Sequence, residues 1–180
     1  RRQRQMCIRD RSHSLLKHST QPLSITPIRL ENIKDIFVRE RLKIQSTEFA
    51  FSRFLVPYLC NYSGHAIFMD CDMLSRSNIA ELWRLRTTKY AVQCVQHDYT
   101  PTSTIKFMNQ PQTPYPKKNW SSMMIFNNAK CTALSPDYVN SATGLELHQF
   151  KWLESEDLIG NLGVEWNHLV GEYEYNENAD

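Results

Sequence analysis

The sequence contains no apolar run near the length of about twenty residues that a membrane-spanning helix needs, and no signal-peptide core. Nothing in it therefore reads as a bilayer span. Its five cysteines, Cys7, Cys60, Cys71, Cys94 and Cys131, include no C-x-x-C pair and no even framework. That excludes a disulfide scaffold and a zinc knuckle, and the thiols read as reduced ones in a cytoplasmic protein. Internal repeats and heptads are missing. No serine has histidine and aspartate partners at a recognisable spacing, so a hydrolase triad finds no support.

What is present is enough for one folded domain. The 180 residues are 41% hydrophobic and 11% aromatic, which rules out a wholly disordered chain. The formal net charge of +2 is misleading, however. The decapeptide Arg1 to Asp10 resembles the translation of a transposase adapter used in sequencing libraries, with leftover bases able to begin Arg11. The expectation is a non-native segment over 1–11 and a partial domain over 12–180. Leaving out residues 1–10 removes four basic and one acidic side chain, and the balance becomes −1. With it goes the reason to expect a nucleic-acid partner.

Along the chain, Ser12–Ser19 reads as the end of a helix. The alternation in Leu23–Ile28 reads as a strand that Pro27 ends or confines to an edge. Ile33, Ile36 and Phe37 fall at helical spacing. Gln45–Glu48 offers an N-cap for an apolar helix over Phe49–Leu59, bent or shortened by Pro57. Ala66–Met69 is a short continuous apolar run, as in a strand buried on both faces. Asn78 caps a helix carrying Ile79, Leu82 and Trp83; Tyr90–Val95 and Ser122–Phe126 read as strands. Between them, His97–Lys118 is a proline-rich loop of unusual length, the kind that often serves as a lid or binding segment. Ser135-Pro136 starts a helix that Gly144 should end, and Ile159–Tyr173 shows only a mixed pattern. Strands alternating with helices make an α/β domain.

The sharpest chemical signal is Asp70-Cys71-Asp72. Two carboxylates following a buried strand stand where open α/β sheets bind ligands. Such hard oxygen donors suit Mg²⁺ or Mn²⁺ bridging to substrate phosphates, and a cation would offset the cost of placing two charges there. The plain alternative is a pair of acids capping a surface loop.

Context favours the first reading. Phe51–Leu59 with its Arg53 and Pro57, then Ala66–Leu74 with Asp70-Cys71-Asp72, then Asn78–Trp83, together resemble family 8 glycosyltransferases. Their pattern is an Arg-and-Pro helix, an apolar strand ending in Asp-x-Asp, and a helix beginning Asp-Ile-x-Glu-Leu-Trp. Asn119–Asn127 is similar to the family's Asn-(Ser/Ala)-Gly-Val-Met-Leu-Phe-Asn segment, and Glu154–Ile159 with Glu165-Trp166-Asn167 to its Asp-Gln-Asp and Trp-Asn. The resemblance runs in order from about Ser46 to Tyr173, and its specificity lies in the ensemble.

The resemblance implies a GT-A-like (Rossmann-like) fold with a mixed, mostly parallel sheet flanked by helices, here incomplete at both ends. It implies a metal-dependent, retaining transfer of sugar from a nucleotide diphosphate, UDP-sugar by preference, to an acceptor such as a glycan. Asp70 and Asp72 would hold Mn²⁺ or Mg²⁺. Arg53 would pair with a carboxylate or phosphate, and Asn119, Trp120 and Ser121 would complete the donor site. Glu156 and Asp157 are the candidate catalytic acids, whether retention proceeds by same-face substitution or through a covalent intermediate.

The sequence departs from the family pattern in several places. Ser121 or Ser122 stands for its Gly, the acidic run at 154–157 has no clean register, and no histidine motif follows His168 to supply a third metal ligand. The competing readings are a haloacid-dehalogenase-type phosphatase, whose nucleophile is the first Asp, and a fragment that binds nucleotide sugar or glycan without turnover. Oligomeric state is left open. Outside the motif, His97-Asp98 fits either sugar hydroxyls or a hydrogen-bonded loop. His65 reads as a turn residue, His148 and His168 as packing residues, and Trp152 and Trp166 as core. Lys117 and Lys118 read as a solvated face.

Overall fold

The computed structural model describes residues 2–39, 49–98, 105–106, 110–111 and 116–174. A four-stranded sheet organises them: β1 (His65–Met69), β2 (Val92–Val95), β5 (Met123–Asn127) and β6 (Ile159–Leu162), in the order β1-β5-β2-β6. A separate two-stranded ribbon pairs β3 (Ile105–Lys106) with β4 (Gln110–Pro111). β5 runs antiparallel to both of its neighbours, while β2 and β6 are parallel. Three of the four strands thus share one direction, and their carboxyl ends share one rim. This is the α/β, mixed-sheet class that the sequence implied.

Alternation sends the two faces of each strand to different cores. Met124 and Phe126 join Phe54, Leu55, Leu134, Val139 and Leu147 on one side. Met123 and Ile125 join Leu15, Ile79, Leu82, Val95 and Leu162 on the other. Helices α2 (Val56–Leu59), α4 (Pro136–Ser141) and α5 (Gly144–His148) cover the first face. Helices α1 (Arg2–His18) and α3 (Ile79–Arg84) cover the second.

Local chemistry explains most element ends. Asn78 accepts from the Ala80 amide and starts α3; Ser135 accepts from Tyr138 and starts α4, with Pro136 in its first turn. Pro57 permits a short helix but not a long one: Ser52–Leu55 forms a 3-10 turn, and α2 occupies only Val56–Leu59.

Four sequence expectations change. Gly144 does not end α4, which stops at Ser141; it opens α5, because Thr143 and Glu146 form a reciprocal capping box. Leu23–Ile28 forms no strand; Pro27 removes a backbone donor from it, and Pro22 just before it removes another. Ile33–Phe37 forms no α-helix: it is a hydrogen-bonded turn, with Ile36 and Phe37 donating to the Ile33 carbonyl, that follows a 3-10 turn at Leu30–Asn32. A strand, β6, does form at Ile159–Leu162, where Gly160 leaves room for the Tyr90 ring; a Cβ there would lie 2.3 Å from it. The Gln45–Glu48 cap and most of the 97–118 loop lie outside the described residues. The boundary between 1–11 and 12–180 falls inside α1.

β1 is not the fully buried strand that the apolar run suggested: it stands at the sheet edge and all five of its residues are half-buried, with Ala66 and Phe68 packing on one core and Ile67 and Met69 on the other. Its hydrogen-bonded pairs with β5 are the even-numbered ones, since Asp70 donates to Ser122 and Asn128 donates to Gly64. The amides of His65, Ile67 and Met69 therefore face the open side. There a cavity of about 870 Å³ separates the strand from α1, from 21–31 and from α3. In hydrogen exchange on the 180-residue chain, Ile67 and Met69 should exchange at least ~10-fold faster than Ala66 and Phe68. Equal protection of all four would mean that the edge is covered.

Candidate functional site

The carboxyl rim collects most of the residues that the sequence singled out. Cross-strand register places Asp70, Ser122, Gln96 and Gly163 in one row across the sheet, immediately past β1, before β5, and past β2 and β6. Asp72 follows Asp70. The 3-10 turn Trp120–Ser122 leads into β5 from a left-handed Asn119, so Asn119, Trp120 and Ser121 stand at the same rim.

Arg53 anchors this rim. Its Nη2 donates to Asp70 Oδ1 at 2.7 Å and its Nη1 to Asp70 Oδ2 at 2.9 Å, a bidentate fork on a carboxylate 19% exposed. Nη1 also donates to the Ser121 carbonyl at 2.7 Å, and Nε to the Ala50 carbonyl at 2.8 Å. One guanidinium thus ties the end of β1 to the entry of β5. Burial raises the Asp70 pKa; the Arg53 charge opposes the rise, and the neighbouring Asp72 adds to it. Asp72 itself is exposed. The Cys71 thiol between them is pushed up, by burial first and then by Asp72 and Asp70, which keeps it protonated.

From the other side, Arg11, the last residue of the segment expected to be non-native, donates through Nη1 to the Met69 carbonyl and to the Asp70 carbonyl, the latter at 3.1 Å. A cationic side chain thereby sits against the carboxylate pair. Among the described residues, no group of three or more His, Cys, Asp or Glu side chains is placed to hold a metal ion. What the rim offers is Asp72 with Asp70 beside it. That donor set suits Mg²⁺ or Mn²⁺ shared with substrate phosphates and water, not an ion caged by protein alone.

Ser121 is buried, and its hydroxyl meets His148 Nδ1 of α5 at 2.7 Å. Sequence spacing gave no serine a histidine partner; the fold supplies one across 27 positions. The His148 ring packs edge-on against Phe54 and tilted against Phe51. Trp120 donates its indole N–H to the His97 carbonyl at 3.0 Å and lies 6.4 Å from the Phe150 ring.

His97 belongs to a further group at this rim. Its Nδ1 lies 2.9 Å from Tyr173 Oη and its Nε2 3.0 Å from Asn167 Nδ2; Asn167 Nδ2 also donates to the Asn119 carbonyl at 3.3 Å. Burial lowers the His97 pKa from 6.5 to about 4. The unfolded chain therefore binds the extra proton between these values, and stability present above pH 6.5 is lost as pH falls towards 4. The loss should be on the order of 2 kcal/mol in denaturant titrations, and His97→Gln should flatten that part of the profile. An unchanged slope in His97→Gln would assign the loss to other groups. The sequence carried no signal for this cluster beyond His97-Asp98 itself and the Trp166-Asn167 pair.

The structure does not bring Glu156 and Asp157 to the Asp70–Asp72 pair. They form a 3-10 turn entering β6, and Leu158 shares its cross-sheet row with His65, at the start of β1. Asp70 follows the end of β1, so the two sets stand at opposite ends of the strands. The Glu156 carboxylate, 82% exposed, instead receives Lys117 Nζ at 2.6 Å. Lys117 and Lys118 do not form a solvated face: the Lys117 side chain is 12% exposed and Lys118 is buried. Lys117 Nζ also donates to the Gln149 carbonyl at 3.2 Å, so the chain uses this cation internally.

Comparison with known proteins adds one relative and no family. The chain is 50% identical over 163 residues to Protein CDI of Arabidopsis thaliana, a match covering 88% of this chain and 62% of that protein. It thus spans less than two thirds of that relative's length. No family model matches the chain, and no solved structure matches it.

Proposed function

We propose that the chain carries part of a metal-dependent glycosyltransferase that takes its sugar from a nucleotide diphosphate, UDP-sugar by preference, with retention at the anomeric carbon. The observation that carries this reading is the Asp70-Cys71-Asp72 turn at the carboxyl end of β1, with Arg53 forked onto Asp70. The resemblance of Phe51–Leu59, Ala66–Leu74 and Asn78–Trp83 to family 8 glycosyltransferases supports it. So does a mixed sheet whose parallel strands end on the same rim as that turn. The GT-A-like fold is part of this proposal.

Breaking the bond between a sugar and a diphosphate leaves a highly charged leaving group, so the site must stabilise negative charge. A divalent ion held by Asp72 and Asp70 would supply that neutralisation. The chain's own residues do the positioning. Arg53 fixes the Asp70 carboxylate in one orientation and, through the Ser121 carbonyl, fixes the turn that presents Asn119 and Trp120. The nucleotide sugar would lie along that turn. Glu156 and Asp157 are not part of this proposal, because they stand at the opposite end of the strands.

The phosphatase reading needs Asp70 as an attacking nucleophile. Each of its carboxylate oxygens accepts once from Arg53 and keeps a lone pair, so the fork is compatible with attack as it is with metal ligation, and activity separates the two readings. The discriminating experiment compares UDP release from UDP-glucose and UDP-galactose with phosphate release from p-nitrophenyl phosphate. Mn²⁺ is present in both assays, and the protein is the whole one to which this sequence belongs. UDP release without phosphatase activity supports the transferase; phosphate release alone overturns it.

A further inference from the structure

At the carboxyl ends of β2 and β6 lies a hollow of about 420 Å³, a size that suits one small ring system. Gln96, His97, Asn161, Gly163, His168 and Tyr173 form much of its wall. Its described lining contains no lysine or arginine, and Glu174 is the charged side chain in it. Among the described residues, a phosphate or carboxylate entering there would meet a negative charge and no lysine or arginine.

The wall is instead made of ring faces and neutral hydrogen-bonding groups. The Tyr173 ring lies 5.7 Å from the ring of His97 and 5.9 Å from that of His168. Asn167 Nδ2 donates to His97 Nε2, so the ring hydrogen sits on Nδ1 and donates to Tyr173 Oη. Burial keeps that imidazole neutral through the physiological range. Asn161 and Gln96 bring amide groups to the same wall. Apolar ring faces beside amides and a phenol match the two surfaces of a sugar, its C–H face and its hydroxyl rim.

Position separates this hollow from the carboxylate pair. Asp70, Ser122, Gln96 and Gly163 share one row, and adjacent strands lie about 4.8 Å apart, so the hollow begins roughly 10 Å from the end of β1. That distance leaves room for a diphosphate and its glycosyl group between Asp72 and the hollow. We infer that the hollow is the acceptor subsite, and that the acceptor presents a neutral, hexose-like ring to Tyr173 and His168. The inference rests on the glycosyltransferase reading for the word acceptor, while the chemistry of the hollow rests on its own lining.

Saturation-transfer NMR on the whole protein tests it, with free glucose, galactose and mannose as probes, glucuronate as the charged comparator, and UDP with Mn²⁺ as the donor-side probe. At least one neutral sugar should show transfer and glucuronate none. The signal should fall at least ~5-fold in Tyr173→Phe and in Val164→Arg, which fills the hollow from an exposed rim position (41% exposed). UDP with Mn²⁺ should bind both variants as it binds the parent. Sugar signals unchanged in both variants, stronger transfer to glucuronate, or no sugar signal beside intact UDP binding would overturn the inference and leave the function standing. Sugar binding without UDP binding would overturn the function instead. Displacement of the free sugar by UDP-glucose would make the hollow the donor's own sugar pocket and end the acceptor assignment.

Discussion

Replacing Arg53 by alanine should destabilise the chain by about 3–5 kcal/mol, seen as a fall of roughly 10 °C in Tm. The size follows from what would be stranded. Asp70 would lose both of its fork hydrogen bonds, and the Ser121 and Ala50 carbonyls would each lose a donor inside the protein. Breaking one partner of a buried pair costs more than the pair itself contributes, because the remaining charge stays desolvated. Arg53→Lys should recover only part of the loss, since an ammonium keeps the charge but not the planar fork. The double variant Arg53→Ala/Asp70→Ala should be more stable than Arg53→Ala alone, the sign of coupling between contacting residues. A cost below about 1 kcal/mol for Arg53→Ala would show the fork to be a surface-type pair and remove the anchor from the site.

Asp72→Asn should have the opposite profile: a large loss of function with little change in stability. Asp72 is exposed, so its substitution should shift stability by no more than about 0.5 kcal/mol. On the proposed reading its charge holds the cation, and removing it should cut Mn²⁺-dependent turnover of UDP-sugar by about 100-fold or more, equivalent to some 3 kcal/mol of barrier. Thermal denaturation and UDP-release assays on the same preparation separate the two effects. A variant that loses both stability and turnover in proportion would make Asp72 a structural residue, and full turnover would remove it from the site.

On the proposed reading the two aspartates divide the work between them. Asp70 is tied down by the fold, whereas Asp72 faces solvent from the next turn. Sequence alone supplied the pair and its place after an apolar run, both local patterns, and the family resemblance supplied Arg53. It did not give which aspartate Arg53 engages, since that pairing spans 17 positions and depends on how the 3-10 turn at Ser52–Leu55 packs under β1.

The same distinction explains the fold. β1 was legible from Ala66–Met69, and the starts of α3 and α4 from Asn78 and Ser135, because apolar runs and caps act over a few residues. Strand direction leaves no local mark, so the reversal of β5 between β1 and β2 could not be read. β6 was missed because Gly160 and Asn161 dilute its apolar pattern, and only the parallel partner β2 makes it a strand. Leu23–Ile28 alternated like a strand but found no partner in the sheet. Glu156 and Asp157 looked catalytic by their place in the order of motifs. Parallel strands carried them to the opposite end from Asp70. His97 and Tyr173 lie 76 positions apart, so nothing short of the fold joins them.

The most direct test of the central claim is calorimetric titration of UDP into the whole protein, with and without Mn²⁺, beside the Asp72→Asn variant. The account predicts UDP binding that depends on the ion and falls at least ~10-fold in the variant. UDP binding that ignores Mn²⁺, or that is unchanged in Asp72→Asn, would contradict it.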